Sequence, residues 1–405
     1  VAGQEHLAQN YTRGFNWSSE TTSSVSGRVY EDVDNSGHPD LDEPGISGRT
    51  VYVDRNGNNA YDPGSESATS ATTSSTGYWQ LTVPAGVTGA IRAVLPAADS
   101  RCSQPSTTLA GCEYTVGLQS GASYPNRDFG TYTLPDSMAG LGDSLTRAFI
   151  AEWAFTPPST YTQPAGRCTP FGGFWDCPED SWSTGDNASP TFTSHYKRLV
   201  AAGSAITRAQ TFNFAVSGSP MSALNGQAAQ AVTQGVDYVT IAMGGNDACG
   251  TNTNGVMTDV TAFGASFDAA MTTLMNASPR PRVFVMSISD LYAFWNLLHT
   301  NPTAVSTWNS FGICKSMFTN PTSLAPADEA QRQAARQRIR DYNAELQRGC
   351  ARYAPYCKYD GGAVFNAGAT YTTADLALIS IDYFHPTVAG ESEFASLTYP
   401  AGFNW

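Results

Sequence analysis

The sequence predicts two domains: an N-terminal all-β sandwich, then an α/β domain built as a three-layer α/β/α sandwich around a parallel sheet. Three observations lead to this reading. Between residues 25 and 133, short apolar runs are cut by Gly, Pro, Asn and Asp. Between residues 134 and 405, strand-like runs alternate with longer helix-like stretches. The length of 405 residues also leaves room for more than one hydrophobic core. Residues 1–24 precede the first strand signal and read as an N-terminal extension.

In the first domain, Gly27-Arg28-Val29-Tyr30, Arg49 to Val53, Tyr78 to Val83 and Ala90 to Leu95 alternate or cluster apolar residues, the pattern of a β-sandwich. Thr133-Leu134-Pro135-Asp136 reads as the linker. Beyond it, Thr211 to Val216, Tyr238 to Met243 and Val283 to Ile288 are short apolar runs suited to buried parallel strands. Asp328 to Leu346 predicts a helix, because Ile339, Tyr342 and Leu346 fall on one face. Such alternation implies helices on both faces of a sheet. The first two of these strands lead into Gly218 and Asn246, at the sheet edge where such folds bind ligands.

Composition excludes several classes. The formal net charge of −13 and the absence of Lys/Arg clusters oppose a nucleic-acid partner. No apolar run approaches the roughly 18–20 residues of a transmembrane helix. The first residues, Val1 to His6, carry no signal-peptide pattern, so secretion implies a leader already removed. The eight cysteines fall into close sequential pairs, Cys102/Cys112, Cys168/Cys177, Cys249/Cys314 and Cys350/Cys357, with no Cys-x-x-Cys. That spacing argues for disulfides and an oxidising, extracellular compartment rather than a thiolate zinc site. Sequential pairing is expected, with buried free thiols as the alternative. A Cys249–Cys314 bridge would brace the loop after Asn246. A monomer is expected.

Asp32-Val33-Asp34-Asn35-Ser36-Gly37-His38-Pro39-Asp40-Leu41-Asp42-Glu43 fits a twelve-residue calcium loop. Ligand oxygens fall at Asp32, Asp34, Ser36, Asp40 and the His38 carbonyl, with Glu43 able to bind in bidentate fashion. A looser match places Asp54, Asn56, Asn58, Ala60 and Asp62 in a second loop, with Glu66 one position late. Solvated acidic turns are the plain alternative. With Gly45-Ile46-Ser47-Gly48, Thr76-Gly77-Tyr78 and Asn126-Arg127-Asp128-Phe129-Gly130, this region resembles the calcium-binding B-type repeats of Gram-positive surface proteins. The resemblance implies structural Ca2+ in a rigid spacer with no chemistry of its own.

Four short strings in the second domain carry the chemistry. Gly142-Asp143-Ser144-Leu145-Thr146 places a serine in a turn of small residues. Asn213-Phe214-Ala215-Val216-Ser217-Gly218, Gly244-Gly245-Asn246-Asp247 and Asp382-Tyr383-Phe384-His385-Pro386 follow in that order. Serine is a poor nucleophile without an adjacent base, and histidine titrates in the right range. His385 is the candidate base, and Asp382 can reach its other nitrogen across one tight turn. The backbone N–H groups of Ser144 and Gly218, with the Asn246 amide, are candidate oxyanion donors. The alternatives are plain ones: Ser144 as a helix cap, Asp382 as a turn residue, and Asp143 and Asp247 as loop organisers. His6, His195 and His299 have no motif around them and are read as surface or packing residues.

Together the four strings resemble the SGNH hydrolases, also called GDSL esterases and lipases, from about Met138 to the C-terminus. The resemblance implies an SGNH hydrolase-like fold and ester hydrolysis through an acyl-serine. It implies Ser144 as nucleophile, Asp382 and His385 as acid and base, and an oxyanion hole of Ser144, Gly218 and Asn246, with no catalytic cofactor.

The substrate is expected to be a lipid ester, as for a secreted lipase or phospholipase. Leu291 to Leu298 and the stretch through Phe318 carry large apolar groups that either line an acyl pocket or pack the core. Phe171 to Asp176 is a candidate second wall. Two alternatives stand beside this reading: an acetylxylan-type carbohydrate esterase, and a calcium-dependent adhesive or structural surface protein with a degenerate hydrolase domain.

Overall fold

The structure is a computed structural model that describes residues 22–84, 86–96, 100–105, 112–115, 117–152, 168–171 and 173–405. The expected N-terminal extension, residues 1–24, lies outside the described residues as far as residue 21. The chain forms two compact units, Val1–Asp32 with Gly37–Tyr132, and Val33–Ser36 with Thr133–Trp405.

Among its described residues the first unit contains two sheets. One has the order β4 (Tyr78–Pro84), β1 (Thr22–Glu31), β9 (Phe129–Tyr132), β6 (Arg101–Gln104), with β8 (Ser123–Tyr124) also on β1. The other has the order β3 (Ser70–Thr72), β2 (Thr50–Asp54), β5 (Ala90–Ala93), β7 (Glu113–Thr115). Strand side chains alternate between faces, so Val25 and Val29 of β1 and Trp79, Leu81 and Val83 of β4 turn to one side. There they share a core with Val51, Val53 and Ile91 of the other sheet. This is the expected all-β sandwich.

The second unit is built on a five-stranded parallel sheet. Its order is β13 (Thr211–Asn213), β10 (Met138–Gly142), β14 (Tyr238–Ala242), β15 (Arg282–Val285), β16 (Cys357–Tyr359). Neighbouring residues feed opposite cores. Val239, Ile241, Val283 and Val285 meet Phe263 and Phe267 of the helix Val260–Met275 and Ile339 of the helix Pro326–Ala351. Tyr238, Ala242, Phe284 and Met286 meet Leu199 of His195–Ala201 and Phe394 of Val388–Thr398. Helices therefore cover both faces, giving the α/β/α sandwich.

The ends of three elements differ from the sequence reading. The runs expected from Thr211 to Val216 and from Val283 to Ile288 leave the sheet at Asn213 and Val285, and their ends become loops above it. The helix expected over 328–346 runs from Pro326 to Ala351. Pro326 sits in its first turn, where a missing N–H costs nothing, and Asp328 and Glu329 favour the positive end of the helix dipole.

Glu391, in the last helix, is fully buried, and its Oε2 accepts the Trp182 backbone N–H at 2.8 Å. Burial pushes its carboxyl well above the usual carboxylate range, and the nearby Asp180 and Asp143 push the same way. A raised folded-state value favours the fold below the unfolded pKa, near 4.3, and that stability is lost as pH rises through the folded value. Glu391→Gln keeps the acceptor and cannot ionise. Its Tm relative to the parent should therefore rise from acid to alkaline pH in parallel melting curves. A pH-independent difference would show that Glu391 does not titrate with folding.

Candidate active site

The site is assembled from loops at the C-terminal ends of β10, β13 and β14, together with the turn before the last helix. Gly142 ends β10 with φ +144°, a conformation that disfavours a side chain, and a Cβ there would lie 2.2 Å from the Ala242 carbonyl oxygen. The Gln227 amide grips this glycine from both sides: Oε1 accepts the Gly142 N–H at 2.7 Å, and Nε2 donates to its carbonyl at 2.9 Å. The turn that follows is thus fixed before Ser144 begins.

Ser144 Oγ lies 2.9 Å from His385 Nε2, and His385 Nδ1 lies 2.6 Å from Asp382 Oδ2. Asp382 Oδ1 accepts the backbone N–H groups of Phe384 at 3.0 Å and His385 at 2.9 Å. Burial pushes the Asp382 carboxyl up, but His385 and these hydrogen bonds outweigh it and hold the group below the usual carboxylate range. An ionised Asp382 only accepts, so Nδ1 carries the ring proton and Nε2 is left to accept from the serine hydroxyl. Tyr383 adopts φ +57°, which tightens the turn enough for Asp382 to reach the ring.

Asp143 behaves in the opposite way. Its carboxyl is pushed up to about 6 by burial, with Asp247 adding, against opposing bonds from Leu145 N–H and the Asn246 amide and the neighbouring His385 ring. Asp143 Oδ1 accepts the Leu145 N–H at 3.1 Å, and Oδ2 accepts Asn246 Nδ2 at 3.2 Å. Asn246 Nδ2 also donates to the Ser219 carbonyl at 3.1 Å. Asp247 anchors its loop by accepting the Met221 N–H at 2.7 Å and the Thr258 hydroxyl at 2.8 Å. Gly218, with φ +79°, faces open space where a Cβ would meet nothing within 4 Å. Among the described residues, no protein acceptor takes the backbone N–H of Ser144 or Gly218.

These groups border a cavity of about 720 Å³. Ser144, Gly218, Asn246 and His385 stand at one part of its wall, and Ile288, Leu291, Phe294, Tyr371, Ile379 and Phe394 supply an apolar part. The segment Leu291–Leu298 is divided: Leu291 and Phe294 line the cavity, while Trp295 and Leu298 are buried in the core. Further along, residues 309–315 line the cavity, whereas Trp308 and Phe318 stack on each other at 4.1 Å.

The proposed second wall is corrected. Among the described side chains of Phe171 to Asp176, none lines the cavity. Phe174 instead stands behind two lining residues, Phe149 and Phe311, with ring centroids at 5.7 and 5.8 Å. The hairpin of β11 (Thr169–Phe171) and β12 (Phe174–Asp176) also carries a hub that the sequence did not disclose. Asp176 accepts from the Ser217 hydroxyl at 2.6 Å and pairs with Arg147 Nε at 3.1 Å, tying the Gly218 loop to the Ser144 turn. Gln227, Asp143 and Asp176 position the site. Only Asp143, inside a motif, carried a signal that singled it out.

All four cysteine pairs are joined in sequence order, Cys102–Cys112, Cys168–Cys177, Cys249–Cys314 and Cys350–Cys357. Cys249–Cys314 links the Asn246 helical turn to the cavity wall. His195 is buried, bonded to the hydroxyls of Tyr238 at 2.7 Å and Thr398 at 2.8 Å, and burial lowers its pKa to about 3. His299 is held near the carbonyl oxygens of Trp295 and Asn296 at the end of its helix. His6 lies outside the described residues.

In the loop from Asp32 to Glu43, the carboxylates of Asp32, Asp34 and Glu43 are buried and offer oxygens within 4.8 Å of one another. Asp40 is outside that group, and its backbone N–H donates to Glu43 Oε2 at 2.9 Å. Ser36 donates its N–H to Asp34, and the Gly37 turn donates to Asp32. In the second loop Asp54 accepts from Gly57 and Asn59, and Glu66 accepts from Arg55 and Asp62. Asp62 faces the side-chain amides of Asn56 and Asn58, and Asp54 pairs with Arg92 Nε at 3.0 Å. Ala60 donates its N–H to Asn58. Asp54, Asp62 and Glu66 do not form a comparable carboxylate group among the described residues.

The sequence model of the GDSL-like lipase/acylhydrolase family matches residues 173–392. That span contains Gly218, Asn246, Asp382 and His385 and begins after Ser144. No curated protein matches the chain significantly. Solved structures that align with it include phospholipase A1 from Streptomyces albidoflavus, at 14% identity and TM-score 0.37, over 66% of this chain and 100% of that one. An extracellular lipase from Streptomyces rimosus aligns at 18% identity and TM-score 0.33, over 65% and 99%. An acetyl xylan esterase aligns at 14% identity and TM-score 0.37, over 65% and 98%. Likenesses this distant do not discriminate between substrates.

Gly142 yields a direct check on the geometry. Gly142→Ala should cost about 2–4 kcal/mol, from overpacking against the Ala242 carbonyl and from a strained φ. Thermal denaturation and ester hydrolysis measured together should both decline. Full stability with full activity would contradict the tight turn.

Proposed function

The chain belongs to the GDSL-like lipase/acylhydrolase family, and from that premise we propose that it is a secreted lipid esterase working through an acyl-enzyme on Ser144. One observation carries the reading: the continuous hydrogen-bonded line from Ser144 Oγ through His385 to Asp382, at 2.9 and 2.6 Å. His385 Nε2 takes the hydroxyl proton as Oγ attacks the ester carbonyl. Asp382 stabilises the imidazolium that forms and holds the ring in its tautomer. The new oxyanion is met by the free N–H groups of Ser144 and Gly218. Asn246 contributes by sharing a hydrogen now held by Asp143 or Ser219. His385 then returns the proton to the leaving alcohol, and a water activated by the same nitrogen releases the acid.

The lipid reading rests on the cavity. Its volume of about 720 Å³ and its apolar lining from Ile288, Leu291, Phe294, Ile379 and Phe394 exceed what an acetyl group fills. Secretion is supported by the four disulfides, and no described helix is long and apolar enough to cross a membrane.

Calcium is proposed as a structural ion of the first loop. Three buried carboxylates in close approach suit a hard cation with oxygen ligands, and Asp32, Asp34 and Glu43 would hold it. The second loop fits less well, because among the described residues Asp54, Asp62 and Glu66 do not bring their carboxylates together in a comparable group. The bound ion would offset carboxylate repulsion.

Ser144→Ala should reduce turnover by at least about 10⁴-fold with an almost unchanged Tm, and Asn246→Ala should lower kcat by about 100- to 1000-fold. A fluorophosphonate probe should label the parent and spare Ser144→Ala. An unlabelled, folded parent would revive the reading of a degenerate hydrolase in an adhesive protein. In a substrate panel, medium-chain esters should be cleaved in preference to acetylated xylan, and the reverse order would move the assignment to a carbohydrate esterase. Chelation should lower the melting transition of the first unit while most esterase activity remains. Unchanged melting would remove the calcium proposal.

A further inference from the structure

Large apolar side chains left in water are few in the second unit. Among its described residues they are Val200, Val216, Val256, Phe311 and Leu324. One of these lines the cavity, and two others adjoin residues that line it or that contact its lining. Phe311, 63% exposed, lines it directly. Val216, 51% exposed, immediately precedes the lining residues Ser217 and Gly218. Val256, 68% exposed, follows Gly255, where a Cβ would lie 3.2 Å from Cβ of the lining residue Lys315.

A series of ring contacts leads from Phe311 toward His385, with Phe174 standing behind the two lining rings. Phe311 meets Phe174 at 5.8 Å, Phe174 meets Phe149 at 5.7 Å, and Phe149 meets the His385 ring at 4.9 Å. The charge pattern is equally specific. The protein carries a formal net charge of −13, yet among the described residues the titratable groups lining the cavity are buried Asp143, His385, Tyr371 and Lys315, with Lys315 the one basic side chain besides the imidazole. Lys315 is exposed, and its Nζ donates to Asn254 Oδ1 at 2.7 Å. An ammonium has three hydrogens, so two remain for another acceptor.

We propose that the mouth of the cavity docks onto an aggregated phospholipid surface, with Phe311, Val216 and Val256 entering the acyl layer and Lys315 meeting the phosphate plane. The proposal rests on the lipid-ester reading and adds how the substrate is presented. Phe311, exposed and lining the cavity, offers a chain held in the aggregate an apolar way in. Exposed apolar side chains beside a cation match the layering of a phospholipid surface, acyl groups beneath phosphates. A neutral polysaccharide offers no anion to Lys315 and no layer for the two valines.

The test measures binding and hydrolysis separately. In the Ser144→Ala background, the full chain should co-sediment with phosphatidylcholine vesicles containing phosphatidylglycerol. Adding Phe311→Ser should weaken this binding about tenfold or more, from the apolar area withdrawn from lipid. Adding Lys315→Glu should weaken it and reduce its dependence on the phosphatidylglycerol content and on salt. With Ser144 intact, the double variant Val216→Ser/Val256→Ser should lose hydrolysis of vesicle lipid by a similar factor. Its cleavage of a water-soluble medium-chain ester below the micelle concentration should stay unchanged, at an unchanged Tm. Vesicle binding that is absent, or indifferent to all four substitutions, overturns the docking proposal even when the soluble ester is cleaved. A parent that binds vesicles but cleaves no medium-chain ester overturns the lipid-ester function instead.

Discussion

The hydrogen bond from Ser144 to His385 joins residues 241 positions apart, and much of the second unit can be understood as holding its two ends. One end is the strand terminus of β10, where Gly142 fits against the Ala242 carbonyl and is clasped by Gln227. The other is the turn from Asp382 to His385, which is tightened by the positive φ of Tyr383 and by two backbone bonds to Asp382. Neither end can move independently. β10 is paired on both sides within the sheet, and the helix after His385 is packed into the core by Phe394 and Ala395.

The second constraint is electrostatic. Buried carboxyls surround this hydrogen-bonded line, and burial alone drives all of them toward the neutral form. Asp143, Asp247 and Glu391 follow that tendency. Asp382 does not, because an imidazole and two backbone donors converge on it. The difference lies in the partners and not in the depth. One carboxyl is held below the usual range beside the histidine, and the others are pushed above it by burial.

Legibility in the sequence followed the range of the interactions. The four strings of the candidate site, whose residues the structure brings together, were readable because each is a short turn of small residues around one polar side chain. Three of the cysteine pairs were readable because their members lie 10, 9 and 7 residues apart, and Cys249 and Cys314, 65 apart, followed from chain order. The strand runs were readable from apolar clustering, although their ends were not, since Phe214 to Val216 and Met286 to Ile288 look like strand yet form loops. Gln227 gave no signal: it is one glutamine in a helix, and only the fold brings it to Gly142. Asp176 was equally silent, because its partners Arg147 and Ser217 come from different segments. The cavity was half legible, because Leu291 and Phe294 lie in the flagged apolar stretch while Ile379 and Phe394 arrive from the far C-terminus.

That division bears on how such a site can vary. The groups that would perform ester cleavage come from strand ends, where a displaced glycine or carbonyl disturbs the sheet itself. The apolar lining comes from helices and loops packed above that edge, Leu291–Leu298 and Val388–Thr398 among them. A lining residue such as Phe294 can change in volume at the cost of local repacking, with no effect on the register of β10 and β14. Gly142 has no such freedom. Chemistry is therefore coupled to the fold, and the choice of acyl group is only loosely coupled to it. The strings that reveal the reaction are for the same reason silent about the substrate.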